Sequence, residues 1–231
     1  MRRAAKAWPR SIQIGLRVDT ALNRNAGNRL AGVILAGGRS RRMGGGIKAL
    51  IPLAGKSLLQ HVIDRLDSQV ARLYLSVEKP AADFDRFGLP QLPDPEPGSN
   101  GPLGGLLAAL ERSAEDVCDG LLLLPCDAPF LPRDLGARLL ACADDENADV
   151  AVVRHASRLQ PTFSLWRRSV LPHVERAVLD DGMAGFKQFL ATHRHAVLDW
   201  AGAGANPFFN INDPEGLEAA ARMIASSPSQ Q

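Results

Sequence analysis

Cysteine is scarce in this chain and follows no pattern. Cys118, Cys126 and Cys142 form an odd set with no C-x-x-C pair and no histidines at metal-ligand spacing. This argues against a disulfide framework or a zinc site and for small buried hydrophobes in a reducing compartment, so the expected location is the cytoplasm. Long apolar runs are missing as well. The longest, "GLLLLP", has strand length, far short of the ~20 residues that span a bilayer. The first 29 residues lack the continuous apolar core of a secretory signal. No Ser–His–Asp or Cys–His pairing is readable from residue order, so no nucleophile is assigned. Neither G-x-x-x-x-G-K-[ST] nor G-x-G-x-x-G occurs.

Charge of one sign is also in short supply once its location is considered. The net charge is +2. Residues 1–29 hold seven Arg or Lys against one acid, a balance of +6, which leaves −4 for the remainder. The globular part is mildly acidic, so neither nucleic acid nor a membrane is expected as a partner. The expected organisation is a basic N-terminal extension (1–29), disordered or loosely packed, one domain over 30–225, and a frayed tail over 226–231.

What the chain does contain is regular alternation. Hydrophobic residues make up 45% of it and charged residues 23%, enough to bury a core. "AGVILA" reads as a buried strand. "SLLQHVIDRLDS" follows at helical spacing, with Ser57 and Gln60 in capping-box register. "RLYLSV" is the next strand, leading into a connector with seven Pro or Gly residues between Gly88 and Gly101. Helical "PLGGLLAALERS", the uninterrupted apolar "GLLLLPCD" and the strands "ADVAVVR" and "TFSLWRR" come next. Helices "LPHVERAVL" and "GFKQFLATH", the short strand "AVLDW", and a last helix capped by Asp213 with Pro214 at its first position complete the pattern. Such alternation predicts a mostly parallel sheet flanked by helices, with ligands outside the carboxyl ends of the strands.

Four segments follow strands and carry polar chemistry. "LAGGRSRRMGGGIKAL" (35–50) holds five glycines, three arginines and a lysine. Glycines let backbone N–H groups approach phosphate oxygens, and Arg39, Arg41, Arg42 and Lys48 would supply countercharge. On composition alone, a basic turn is as good a reading. In "LLLLPCDAPFLP", Asp127 emerges where a buried strand ends. It suits a hard cation such as Mg²⁺ bridging to substrate phosphates, or simply a turn before Ala128-Pro129. In "PDPEPGSNGPLGG", glycine-rich sequence including Gly101 enters a helix N-terminus. Asp94 there is either a ribose or base contact or a solvated loop carboxylate. In "FFNINDPEG", Asn210 and Asn212 lie two apart on one side of an extended segment, aimed at a cleft or engaged in local turns. His61 is expected to be a partly buried helix residue, and Phe208 and Phe209 to belong to the core.

Taken in order, "LAGGRSRRMGGGIKAL", "GPLGGL", "PCDAPFLPRDL", "QPTFSLW" and "FNINDPEGL" resemble the motifs of the molybdenum cofactor guanylyltransferases, from Leu30 to about Arg222. The resemblance implies an α/β, Rossmann-like three-layer sandwich of the nucleotide-diphospho-sugar transferase type. It implies transfer of GMP from GTP to the terminal phosphate of molybdenum-molybdopterin, with Mg²⁺ as cofactor. By the match, Leu35, Ala36, Gly37, Gly38, Ser76, Asp94 and Gly101 line the nucleotide, and Lys48 and Arg42 reach its phosphates. Asp127 holds Mg²⁺, while Asn210 and Asn212 face the pterin or the active cleft. Related readings are a nucleotidyltransferase using CTP or another phosphate acceptor, and a weakly active cofactor-delivery protein. A molybdenum insertase and molybdoenzyme-specific chaperones are the protein partners implied. The chain departs from the family pattern at Ile47, where aspartate is usual before the lysine, and at Ser76, where asparagine is usual. The later "GERR"-like segment is replaced by "DGMAGFKQF".

Overall fold

Unbroken apolar runs become strands covered on both faces, because only a two-sided burial keeps every side chain of such a run out of water. The computed structural model describes residues 29–38, 45–93, 101–201 and 206–226. In chain order it contains β1 (Leu30–Leu35), the short hairpin β2 (Pro52–Leu53) and β3 (Lys56–Ser57), α1 (Leu58–Leu66), β4 (Arg72–Val77) and β5 (Gln91–Pro93). Then come α2 (Gly101–Glu115), β6 (Gly120–Pro125), α3 (Leu135–Asp145), β7 (Val150–His155) and β8 (Arg158–Arg167). The chain continues with α4 (Leu171–Leu179), α5 (Phe186–Thr192), β9 (Ala196–Asp199) and α6 (Pro214–Ser226).

Seven of these strands form one sheet in the order β5-β4-β1-β6-β8-β7-β9. β5, β4, β1 and β6 run parallel, β7 and β9 pair parallel, and β8 alone runs against both its neighbours. The expected mostly parallel sheet is therefore present, with one reversal. The reversal has a local cause: Ala156 and Ser157 both sit at positive φ (47° and 61°) between paired His155 and Arg158. That is the two-residue hairpin geometry whose twist matches the flanking strands.

Alternate side chains of each central strand feed two cores. On one face Ile34, Leu122 and Leu124 pack with Leu59, Val62 and Leu66 of α1 and with Leu135 and Leu139 of α3. On the other, Val33, Leu121 and Leu123 pack with Leu103, Leu106 and Leu107 of α2, Val174 of α4 and Phe186 of α5. A third, smaller cluster joins Leu53 and Leu58 to Ile211 and Ala220, with Phe130, Phe209 and Leu217 against it. It fastens the β2–β3 hairpin to α6. No helix among the described residues is long and apolar enough to cross a membrane.

Several local expectations are modified. Ser57 Oγ caps α1 by accepting from Gln60 N–H at 3.2 Å. The Gln60 side chain does not complete the box, because it donates to Asp64 Oδ1 at 2.8 Å instead. The proline-rich connector contains structure of its own: a 3₁₀ turn over Ala82–Phe87 that buries Phe84, followed by β5. Gln91 secures it, accepting from Ala81 N–H and donating to Ala81 O and Asp85 Oδ1. α3 stands in "LGARLLACADD", where no helix was expected, because its apolar stripe follows the loop "DAPFLPRD" without a capping signal; Asp134 makes no side-chain cap. At the boundaries, Arg29 is already tied down: its main-chain O accepts from Asp119 N–H at 2.9 Å and its guanidinium lies 3.1 Å from the Asp119 carboxylate. Ser226 is still helical. The rest of the basic extension and of the tail lies outside the described residues. His61 is half-buried on α1 as expected and donates from Nε2 to Leu53 O at 2.8 Å.

Candidate active site

The carboxyl ends of β1, β4 and β6 lie side by side, because Leu35 is in register with Ser76 on one flank and Pro125 on the other. Three chain segments must therefore leave the sheet at one place. Together with the start of α2 they enclose a cleft of about 390 Å³ lined by Leu35, Gly37, Gly38 and Lys48, by Ser76–Glu78, by Gly101 and Pro102, and by Pro125–Asp127. The first segment is held against the second: Ala36 N–H donates to Ser76 O at 2.8 Å, and Cys126 N–H donates to Leu35 O at 3.3 Å. Two features require glycine. Gly45 and Gly46 both adopt positive φ (86° and 87°) at the turn that brings Lys48 back, where Lys48 N–H meets Gly38 O at 3.3 Å. Gly101 has φ +50°, and a Cβ on it would stand 2.8 Å from Ala184 O.

Lys48 begins a 3₁₀ turn over Lys48–Leu50. Ile47, in extended conformation just before it, packs against the core below the sheet. The hydrophobic side chain is thereby accommodated, and the lysine is directed the other way. The Lys48 ammonium pairs with Asp127 Oδ2 and donates to Asn212 Oδ1 at 2.7 Å. Asp127 follows directly on the buried strand end and is only 7% exposed. Its second oxygen, Oδ1, is buried with no hydrogen-bond partner among the described residues. Asp127 also accepts through its main-chain O from Ile211 N–H at 3.0 Å. Ile211 is buried in the third core cluster, and this apolar anchor sets the following residue, Asn212, against Lys48.

Of the anticipated residues, Leu35, Gly37, Gly38, Lys48, Ser76, Gly101 and Asp127 all line the one cleft. Ala36 is buried behind it and contributes through its backbone. Ser76 is 5% exposed at the strand end. Asn212 reaches the site through Lys48, and its own amide nitrogen donates to Asn210 O at 3.4 Å. Asn210 Oδ1 is buried without a partner among the described residues. Arg39, Arg41, Arg42 and Asp94 lie outside the described residues. α2 does begin at Gly101, as the glycine-rich approach suggested, but the N–H of Leu103 in its first turn is engaged by Ala184 O at 3.1 Å.

Val77, Glu78, Pro102, Pro125 and Cys126 line the cleft without having been anticipated. Their signal was proximity alone, since each lies within two positions of an anticipated residue. Burial, reinforced by the neighbouring Asp127 charge, pushes the Cys126 thiol up to about 12. It stays neutral and is no nucleophile at physiological pH. Phe208 belongs to the core, edge-on to Phe163 at 4.9 Å, and Phe209 packs on the third cluster. No group of three or more His, Cys, Asp or Glu residues that could hold a metal occurs among the described residues.

A buried carboxylate and a lysine meeting across a glycine-bordered cleft at the carboxyl edge of a parallel sheet is a geometry suited to binding phosphate groups. Comparison with known proteins agrees with it. The family model described as the MobA-like NTP transferase domain matches residues 32–197. A molybdenum cofactor guanylyltransferase from Mesorhizobium japonicum is 40% identical over 204 residues, 87% of this chain and 98% of that protein. One from Rhodopseudomonas palustris is 42% identical over 198 residues, covering 85% and 92%. Among solved structures, the molybdopterin-guanine dinucleotide biosynthesis protein A of Archaeoglobus fulgidus superposes with a TM-score of 0.69 at 20% identity, over 85% of this chain and all of that one, a likeness of fold. With a family model spanning most of the domain and close relatives matched over nearly their whole length, this chain belongs to the MobA-like NTP transferases.

Proposed function

We propose that the protein transfers GMP from GTP to the terminal phosphate of molybdenum-molybdopterin, releasing pyrophosphate and forming molybdopterin guanine dinucleotide. The observation that carries this reading is the convergence of Lys48 and Asp127 in the cleft of a chain 40% identical to a molybdenum cofactor guanylyltransferase.

In the reaction, an oxygen of the acceptor's phosphate attacks the α-phosphorus of GTP. The new P–O–P link forms as the bond from the α-phosphorus to the β,γ-pyrophosphate breaks, and the electron pair leaves with pyrophosphate. A phosphate monoester is already anionic at neutral pH, so no side chain has to remove a proton, consistent with the neutral Cys126 thiol. The protein's work is alignment and charge neutralisation. Gly37 and Gly38, without side chains, leave the cleft wall open to close approach of phosphate oxygens. Lys48 supplies positive charge where the leaving group develops negative charge. Ser76 and Glu78 at the end of β4 and Pro102 at the start of α2 border the part of the cleft left for the nucleoside.

Asp127 fits a divalent cation. A buried carboxylate oxygen without a partner costs about 1–3 kcal/mol, and a hard cation is the ligand that relieves it. When bound there, Mg²⁺ would offset triphosphate charge, with Asp127 as its protein anchor. Incubation with Mg²⁺, molybdenum-molybdopterin and each nucleoside triphosphate in turn, followed by pyrophosphate release, tests the proposal. Turnover with GTP and not with CTP is expected. Turnover with CTP, or cofactor binding with no pyrophosphate from any nucleotide, overturns it.

A further inference from the structure

The Lys48 ammonium occupies the same carboxylate that would anchor the cation. It pairs with Asp127 Oδ2 while holding a second acceptor, Asn212 Oδ1, at 2.7 Å. Both members are withdrawn from water, with side-chain exposures of 14% for Lys48 and 10% for Asp127. The two acceptors are themselves linked, because Ile211 N–H donates to Asp127 O and Asn212 follows directly. The ammonium can therefore leave the carboxylate without leaving the site, by turning about Asn212 Oδ1.

The geometry points to Lys48 as a placeholder for the divalent cation, with Asn212 as the positioning residue on which it pivots from Asp127 to the nucleotide's phosphates. Here the inference rests on the cation-and-triphosphate part of the proposed function, not on which nucleobase is used. A cation arriving alone at the unpaired Oδ1 meets the ammonium already on Oδ2 and sets two like charges on one carboxylate. A triphosphate arriving alone draws the ammonium away and leaves a buried carboxylate beside new negative charge. When both arrive, each charge finds an opposite partner. Cation and nucleotide then bind with positive coupling, and reciprocally so. In this arrangement Lys48, which aids nucleotide binding, opposes cation binding in the nucleotide's absence.

Binding of Mn²⁺ to the full-length protein, followed by the loss of the free-ion EPR signal, tests this without any turnover. Lys48→Met and the polar, uncharged Lys48→Gln should each bind Mn²⁺ alone about tenfold more tightly than wild type, a change worth ~1.4 kcal/mol. Asp127→Asn should abolish that binding. In EDTA, calorimetry should find that Asp127→Asn binds α,β-methylene-GTP more tightly than wild type does. If neither Lys48 variant gains Mn²⁺ affinity, if Asp127→Asn keeps it, or if Asp127→Asn gains no metal-free nucleotide affinity, the placeholder role is overturned. Failure of the guanylyl assignment reads differently, as turnover of another nucleotide with these binding results unchanged.

Discussion

Gln69, just beyond α1, bonds to the start of α3, and its replacement offers a test of how the segment after Asp127 is held. It is only 6% exposed. Its amide nitrogen donates to Arg65 O at 2.8 Å and to Pro132 O at 2.9 Å, and its oxygen accepts from Gly136 N–H at 2.8 Å. One side chain thus ties the end of α1 to both ends of the turn that leads from Asp127 into α3. Gln69→Leu preserves most of the volume but strands two carbonyls and one N–H. At about 1–3 kcal/mol for each buried group left unpaired, tempered by partial relaxation, the expected loss is about 3 kcal/mol. Gln69→Ala removes the same bonds but opens space for water to bridge the stranded groups, so it should cost less, about 2 kcal/mol. Packing alone predicts the opposite order, with alanine the worse substitution. Urea unfolding followed by far-UV circular dichroism, with m unchanged, measures both. A leucine variant within 1 kcal/mol of wild type, or more stable than the alanine variant, would refute the reasoning.

Four further outcomes are expected. Lys48→Ala should lower kcat/KM for GTP by about 10²-fold in a pyrophosphate-release assay, as for other electrostatic stabilisers of a developing charge, and should also lower the melting temperature, because the Asp127 carboxylate, 10% exposed, loses its partner. Gly101→Ala should cost at least ~2 kcal/mol in urea unfolding, because its Cβ would meet Ala184 O at 2.8 Å at positive φ. Replacing Ala156-Ser157 by Asn-Gly should stabilise the protein by about 1 kcal/mol, since both positions already hold left-handed backbone. For pH dependence, burial and then the neighbouring His173, 5.0 Å away between ring centroids, lower the His193 pKa, with Asp149 opposing. The folded state thus favours neutral imidazole. Stability from this group is complete above the unfolded value of about 6.5 and is lost as pH falls through the folded one. His193→Gln should flatten the decline in urea midpoint between pH 7.5 and 5.

Much of this protein was legible before any coordinates. β4 and α4 occupy the expected spans residue for residue, and α6 starts at Pro214 with Asp213 Oδ1 accepting from Gly216 N–H at 2.8 Å. These are outcomes of local physics: apolar periodicity, a fixed proline φ, a capping carboxylate. α3 and β5 escaped notice for the converse reason. Neither carries a local start signal, and both are held by distant partners, Gln69 for one and β4 for the other. The same division runs through the site. Composition and order by themselves determined that Lys48 and Asp127 would follow strands, where ligands of such sheets bind, and that Asn210 and Asn212 would share one side of an extended segment. That Asn212 would hold Lys48, that Ile47 would turn inward to the core, and that Asp127 would keep one buried oxygen unpaired were decided only by tertiary structure. Those relations depend on ångström-scale distances between segments some 80 and 160 positions apart. Sequence spacing says nothing about such distances until the sheet register and the third core cluster set them.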